Sequence, residues 1–185
     1  MFRLRNIPNF LSVLRVLLVP PVVFYLLEHD YTSALVLFVI AGATDSLDGW
    51  LAKHFHWESA LGEILDPLAD KLLLVSSYVC FYWLELLPLW LVASVILRDV
   101  FIVAGGVSYR MLFGKVDINP SYISKLNTLM QIVLVATMLL SLTWLPMDEL
   151  VIQILIWTVL FTTIASGAMY VFSWGARALK ESSKD

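Results

Sequence analysis

Six stretches of this chain, residues 8–28, 32–53, 61–83, 88–112, 121–142 and 149–174, are apolar over a length that crosses a hydrocarbon layer. Only short polar breaks separate them. A layer about 30 Å thick takes roughly 20 residues of helix per span. In lipid every backbone N–H and C=O needs a partner within the protein, so segments this long fold as helices. The expected fold is an all-α integral membrane protein with six transmembrane helices, in a single domain over residues 1–185. A hydrophobic share of 60% and a mean hydropathy of +0.84 are too high for a soluble domain of 185 residues.

Residues 1–7 mix apolar and basic side chains, which suggests a short N-terminal interfacial helix before Pro8 and Asn9. The first apolar stretch, interrupted by Pro20 and Pro21, is too long for a cleaved signal peptide and is taken as structure. Charge sets the orientation, because Lys and Arg collect on the cytoplasmic side. Arg3, Arg5, Lys53, Arg110, Lys115, Arg177, Lys180 and Lys184 fall at the two ends and at the second and fourth connections. The remaining turns, at Glu28 and Asp30, at Glu85, and at Asp148 and Glu149, hold no Lys or Arg. Both termini are therefore expected on the cytoplasmic face of a multi-pass protein, and the missing Arg-rich presequence suggests a bacterial inner membrane. The net charge of −3 gives no basis for a nucleic-acid partner, and the basic ends suit anionic lipid headgroups. Cys80, the single cysteine, excludes an internal disulfide and a cysteine metal cluster.

Against this apolar background four aspartates are the anomaly. Asp45, Asp48, Asp66 and Asp70 lie in the second and third stretches, with Gly49 and Gly62 at fixed offsets. Carboxylates at membrane depth are costly and persist mainly where they bind something. Residues three or four apart share a helix face, so Asp45 pairs with Asp48 and Asp66 with Asp70. The short link between the two stretches brings both pairs to the cytoplasmic end. Clustered carboxylates repel in a low dielectric, and a divalent cation with hard oxygen ligands relieves that. Mg²⁺ or Mn²⁺ fits the donor set better than zinc. Gly49 and Gly62 permit close approach of a phosphate to the backbone, and Lys53 adds a cation one turn from Asp48. The array thus suggests a metal-bridged pyrophosphate site. One competing reading makes the aspartates ion-pair partners of Lys53 and Lys71. Another is a cation-coupled transporter, which would place carboxylates at the midplane of an inverted repeat; no such repeat is visible.

Written out, Asp45-x-x-Asp48-Gly49-x-x-Ala52-Lys53-x8-Gly62-x3-Asp66-x3-Asp70 resembles the signature of the CDP-alcohol phosphatidyltransferases, with Lys53 where that family carries Arg. The resemblance extends from Pro8-Asn9 and Arg15 to Ser124-Lys125-Leu126-Asn127-Thr128 and Gln131. It implies six transmembrane helices, a cytoplasm-facing polar cavity and a homodimer. It further implies that Asp45, Asp48 and Asp66 hold two divalent ions at the pyrophosphate of CDP-diacylglycerol. Asp70, the fourth carboxylate of the array, would be the general base, and Gly49, Ala52, Lys53 and Gly62 would lie against the CDP moiety.

The acceptor alcohol is read from the second half. Leu97-Arg98-Asp99-Val100-Phe101, Ser124 to Thr128 and Phe161-Thr162-Thr163-Ile164-Ala165-Ser166 look like the CMP-forming cardiolipin synthases, which use phosphatidylglycerol. The related phosphatidylglycerophosphate synthases, which use glycerol 3-phosphate, carry two further cations where this chain has Gly105-Gly106 and Asn127. A phosphate dianion calls for several cations and a lipid phosphodiester for fewer. Arg98 is read as a contact for an acceptor phosphate, with a structural ion pair as the alternative. Lys125, near Asn127 and Gln131, is read as an acceptor contact or as a lysine snorkelling to the interface.

Overall fold

Helices form where the apolar stretches lie: α1 (Ile7–Leu27), α2 (Tyr31–Phe55), α3 (Gly62–Trp83), α4 (Leu89–Phe113), α5 (Tyr122–Thr143) and α6 (Glu149–Ser182). The computed structural model describes residues 7–55, 62–113 and 121–182, with side chains described except at 7–9, 46, 48–53, 62–67, 106–113 and 173–182. No strand occurs among the described residues. The interfacial helix expected over residues 1–7 lies outside them apart from Ile7, which opens α1. Pro20 and Pro21 interrupt the hydrogen-bond ladder of α1 without ending it. Among the described residues Phe10–Leu27, Tyr122–Thr143 and Glu149–Phe172 are long and apolar enough to cross a membrane, and α2 contributes a shorter apolar run, Tyr31–Asp45. Large apolar side chains such as Leu17, Phe24, Phe101, Trp157, Phe161 and Phe172 stand exposed, a surface suited to lipid rather than water.

The helix ends have local causes. Asp30 accepts from the Ser33 backbone N–H at 3.1 Å and begins α2. Hydrogen bonds from Ser33, its hydroxyl first, hold the Asp30 carboxyl below its ordinary range. Asp148 receives the Leu150 N–H at 3.0 Å to start α6, and Ser121 receives that of Ser124 at 3.2 Å to start α5. At the other ends, α1 and α3 close with the same left-handed device. The Asp30 N–H reaches back to the Tyr25 carbonyl and the His29 N–H to that of Leu26. Leu86 reaches Phe81 and Glu85 reaches Tyr82 in the same way. His29 and Glu85 each take φ 60°, a position at which glycine is usual. The left-handed conformation strains a residue with a Cβ by roughly 1–2 kcal/mol, and glycine loses part of that advantage through chain entropy. Glu85→Gly, at an exposed site, is therefore expected to stabilise the protein by about 0.5–1 kcal/mol. A thermal unfolding midpoint in detergent that falls rather than rises would refute this.

Two compact units make up the chain: Met1–Leu87 with Val135–Met147, and Pro88–Leu134 with Asp148–Asp185. In the first, α1 packs against both α2 and α3. The buried stripe of α2 runs Ala34, Leu35, Phe38, Ala41, and fully buried Ala34, Ala41 and Ala69 allow close backbone approach. On α3 the buried stripe is Ala69, Leu73, Leu74, Ser77, Tyr78, Phe81, and on α1 it is Ser12, Arg15, Val22, Leu26. Met138 and Leu139 of α5 complete this core. Trp83 and Trp144 stand exposed at helix ends, as interface anchors do. In the second unit α4 packs on α6, with Leu91, Val92, Val95, Leu134 and Val159 buried. Trp90 stacks on Trp157 with ring centroids 5.4 Å apart.

Candidate active site

Helix periodicity carries the buried stripes of α1, α2 and α3 to their charged residues. Asp45 follows Ala41 by one turn on α2, and Asp70 precedes Leu73 and Leu74 by one turn on α3. Arg15 is the single charged residue of α1. Counted from the tight turn at residues 28–30, Arg15 and Asp45 lie at comparable depth along an antiparallel pair. The three residues meet. Arg15 Nη1 forms an ion pair with Asp45 Oδ1 at 2.8 Å and donates to Asp70 Oδ1 at 2.5 Å. The Arg15 side chain is 1% exposed, whereas those of Asp45 and Asp70 are 43% and 40% exposed. The guanidinium is thus packed away, while both aspartate side chains remain partly exposed.

Asp45 and Asp70 are the first and last members of the four-aspartate array, drawn from different helices onto one nitrogen. Asp48, Gly49, Ala52 and Lys53 fall in the last turns of α2, and Gly62 and Asp66 in the first turns of α3. Their side chains lie outside the described residues. Among the described residues no group of three or more metal-ligating side chains forms, a search that leaves out Asp48 and Asp66. What is described fits a divalent cation. The donors are carboxylate oxygens, hard ligands of the kind Mg²⁺ and Mn²⁺ take, and two of them come together from different helices on partly exposed side chains.

The second unit holds a buried polar seam between α4, α5 and α6. Arg98 is its centre, donating from Nη1 to Asp99 at 2.6 Å and from Nη2 to Ser124 at 2.5 Å and Ser166 at 2.6 Å. The Arg98 and Asp99 side chains are 5% and 12% exposed. Gly167 lies beside the Arg98 stem, 3.9 Å from its Cγ to an added Cβ. One turn along, Asn127 Oδ1 accepts from Thr162 and Thr163, both at 2.9 Å. Among the described residues the Arg98 Nε, the Asn127 Nδ2 and both amide atoms of Gln131 are buried with no hydrogen-bond partner. Lys125 faces elsewhere. It is exposed, with Nζ 5.8 Å from the Tyr122 ring centroid. His54, at the end of α2, is exposed with its ring edge-on to Phe55.

A family model described as CDP-alcohol phosphatidyltransferase matches residues 5–165. The chain belongs to the CDP-alcohol phosphatidyltransferase family. Arg15, the four aspartates, Arg98, Lys125 and Asn127 all fall within the matched span. Among its relatives is the Rattus norvegicus cardiolipin synthase (CMP-forming), 36% identical over 95% of this chain and 63% of the relative. The Homo sapiens cardiolipin synthase (CMP-forming) aligns with the same identity and coverage. A third, the Bacillus subtilis CDP-diacylglycerol–glycerol-3-phosphate 3-phosphatidyltransferase, is 30% identical over 96% of this chain and 98% of the relative. The chain therefore spans less than two thirds of the rat and human proteins.

Spacing in the sequence grouped the aspartates by helix and left Arg15 without a role. A signal for it existed, since a lone charged residue inside an apolar span calls for a named partner. The hydroxyls of Ser124, Thr162, Thr163 and Ser166 carried no such signal, because Ser and Thr are common within apolar helices.

Proposed function

We propose that this protein transfers a phosphatidyl group from CDP-diacylglycerol to phosphatidylglycerol, giving cardiolipin and CMP. The observation that carries the reading is the convergence of Asp45 and Asp70, from α2 and α3, on one guanidinium while both side chains stay partly exposed. Family membership supplies the reaction class and weighs against a cation-coupled transporter. Asp45, Asp48, Asp66 and Asp70 would hold two Mg²⁺ or Mn²⁺ ions, which supply positive charge at the pyrophosphate. Gly49, Ala52, Lys53 and Gly62 would accommodate the CDP moiety. The acceptor hydroxyl gives its proton to Asp70, and its oxygen bonds to the β-phosphorus. The bond from that phosphorus to the bridging oxygen breaks, and the oxygen leaves on CMP with the electron pair.

The protein works as six membrane spans, as a homodimer, in an inner membrane with its site and both termini on the cytoplasmic side. For the acceptor, the neutral Asn127, committed to Thr162 and Thr163, supports a lipid phosphodiester over a phosphomonoester dianion. Arg98 and Lys125 would provide the acceptor's cationic contacts. A second reading, glycerol 3-phosphate as acceptor, is favoured by one observation: the Bacillus subtilis relative aligns along 98% of its own length. Purified protein with CDP-diacylglycerol and Mg²⁺ or Mn²⁺ is expected to release CMP when given phosphatidylglycerol and not when given glycerol 3-phosphate. The reverse pattern would keep the reaction class and transfer the assignment to the second acceptor. Silence with every alcohol would remove the enzyme reading.

A further inference from the structure

We infer that Arg15 is the positioning residue of the aspartate site: its buried guanidinium holds Asp45 and Asp70 together, on side chains that stay partly exposed and within reach of a divalent cation. The inference rests on the metal-dependent reading above. A charged side chain within an apolar span is costly and persists where it serves a function. Arg15 is 0% exposed, the largest of the fully buried side chains, and lies on the stripe by which α1 packs. Its contacts with Asp45 and Asp70 tie α2 and α3 to the third helix that both pack against.

The direction of approach decides what this tie can do. A cation that took the place of Arg15 would have to expel a fully buried side chain from the core. A cation arriving from solvent meets aspartate side chains already 43% and 40% exposed. Two carboxylates on separate helices repel one another, and without Arg15 each has exposed rotamers to retreat into. Holding them before the cation arrives removes the ordering cost from the binding step. The guanidinium therefore strengthens cation binding through geometry, although by charge alone a fixed positive group beside the site weakens it. The two effects have opposite signs, which makes the inference decidable.

The test is Mn²⁺ binding to the purified full chain in detergent, with no lipid substrate, followed by the electron paramagnetic resonance of free Mn²⁺. Residues that orient metal ligands typically govern about 10- to 100-fold in affinity, and Arg15→Gln is expected to weaken binding by that much. Arg15→Lys, with the charge retained on a shorter stem that lacks the planar fork, is expected to fall between the two. Arg15→Gln protein that binds Mn²⁺ as tightly as wild type, or more tightly, overturns the inference. Should Arg15→Gln fail to elute as a monodisperse species, Arg15→Lys carries the test, and wild-type affinity in it overturns the inference. Wild-type protein that binds no Mn²⁺ removes the metal-dependent reading itself and the inference with it, a result distinct from the other two.

Discussion

Purified Asp70→Asn protein is expected to release CMP about 10²- to 10⁴-fold more slowly than wild type, the usual loss when a general base is removed. The substitution keeps the size and planarity of the side chain. Asparagine still offers one oxygen to Arg15 Nη1, which the Asp70 oxygen meets at 2.5 Å, so the tie between α1 and α3 persists in weakened form. What disappears is the carboxylate character of a side chain that is 40% exposed, which as a carboxylate accepts a proton and as an amide cannot. The measurement is the initial rate of CMP release with CDP-diacylglycerol and phosphatidylglycerol. Gel filtration and Mn²⁺ binding on the same sample separate lost chemistry from a lost site. Turnover near the wild-type rate, in protein that still binds Mn²⁺, would take Asp70 out of the chemistry.

The helices were legible because lipid leaves the backbone few options. An apolar run of membrane-crossing length becomes a helix, and the expected 8–28 and 61–83 differ by a residue from Ile7–Leu27 and Gly62–Trp83. Where the expectation fell short, hydropathy had marked the edge of the apolar layer and not the end of the helix. α6 continues to Ser182, eight residues past the expected 174, through Ala176 to Lys180, residues that favour helix regardless of polarity. α2 likewise runs past Lys53, to Phe55.

The meeting of aspartates from two helices was legible in the sequence, and the arginine that joins them was not. Spacing on one helix shows which residues share a face, hence the expected couples Asp45 with Asp48 and Asp66 with Asp70. The contact that the structure describes joins Asp45 to Asp70 through Arg15, three residues from three helices, and no single-helix period encodes that. The second unit gives a contrasting case. Lys125 and Asn127 are two positions apart, about 200° around a helix, so their nearness in sequence puts them on different sides. The structure leaves Lys125 exposed while Asn127 and Gln131, one turn apart, share the buried side. That separation could have been read from the sequence, because it depends on helix geometry alone.

Arg98→Met is expected to destabilise the protein by about 3–5 kcal/mol, the usual effect of removing one partner of a buried ion pair. Methionine replaces the stem and fills similar volume, so the loss isolates the guanidinium. Its departure leaves the Asp99 carboxylate, 12% exposed, without Arg98, and takes a donor from both Ser124 and Ser166. Arg98→Lys recovers only part, because one ammonium does not reproduce two nitrogens reaching Asp99 on one side and the two serines on the other. The double variant Arg98→Met/Asp99→Leu should regain most of the stability, since a buried pair exchanged for apolar side chains of similar volume is often neutral. Unfolding in detergent by graded addition of sodium dodecyl sulfate measures all three. A loss below about 1 kcal/mol in Arg98→Met, the level of an exposed pair, would show that the seam does not hold α4, α5 and α6 together. If that variant instead stays folded and loses affinity for phosphatidylglycerol alone, the guanidinium serves the acceptor, and its bonds to Asp99, Ser124 and Ser166 are the frame that presents it.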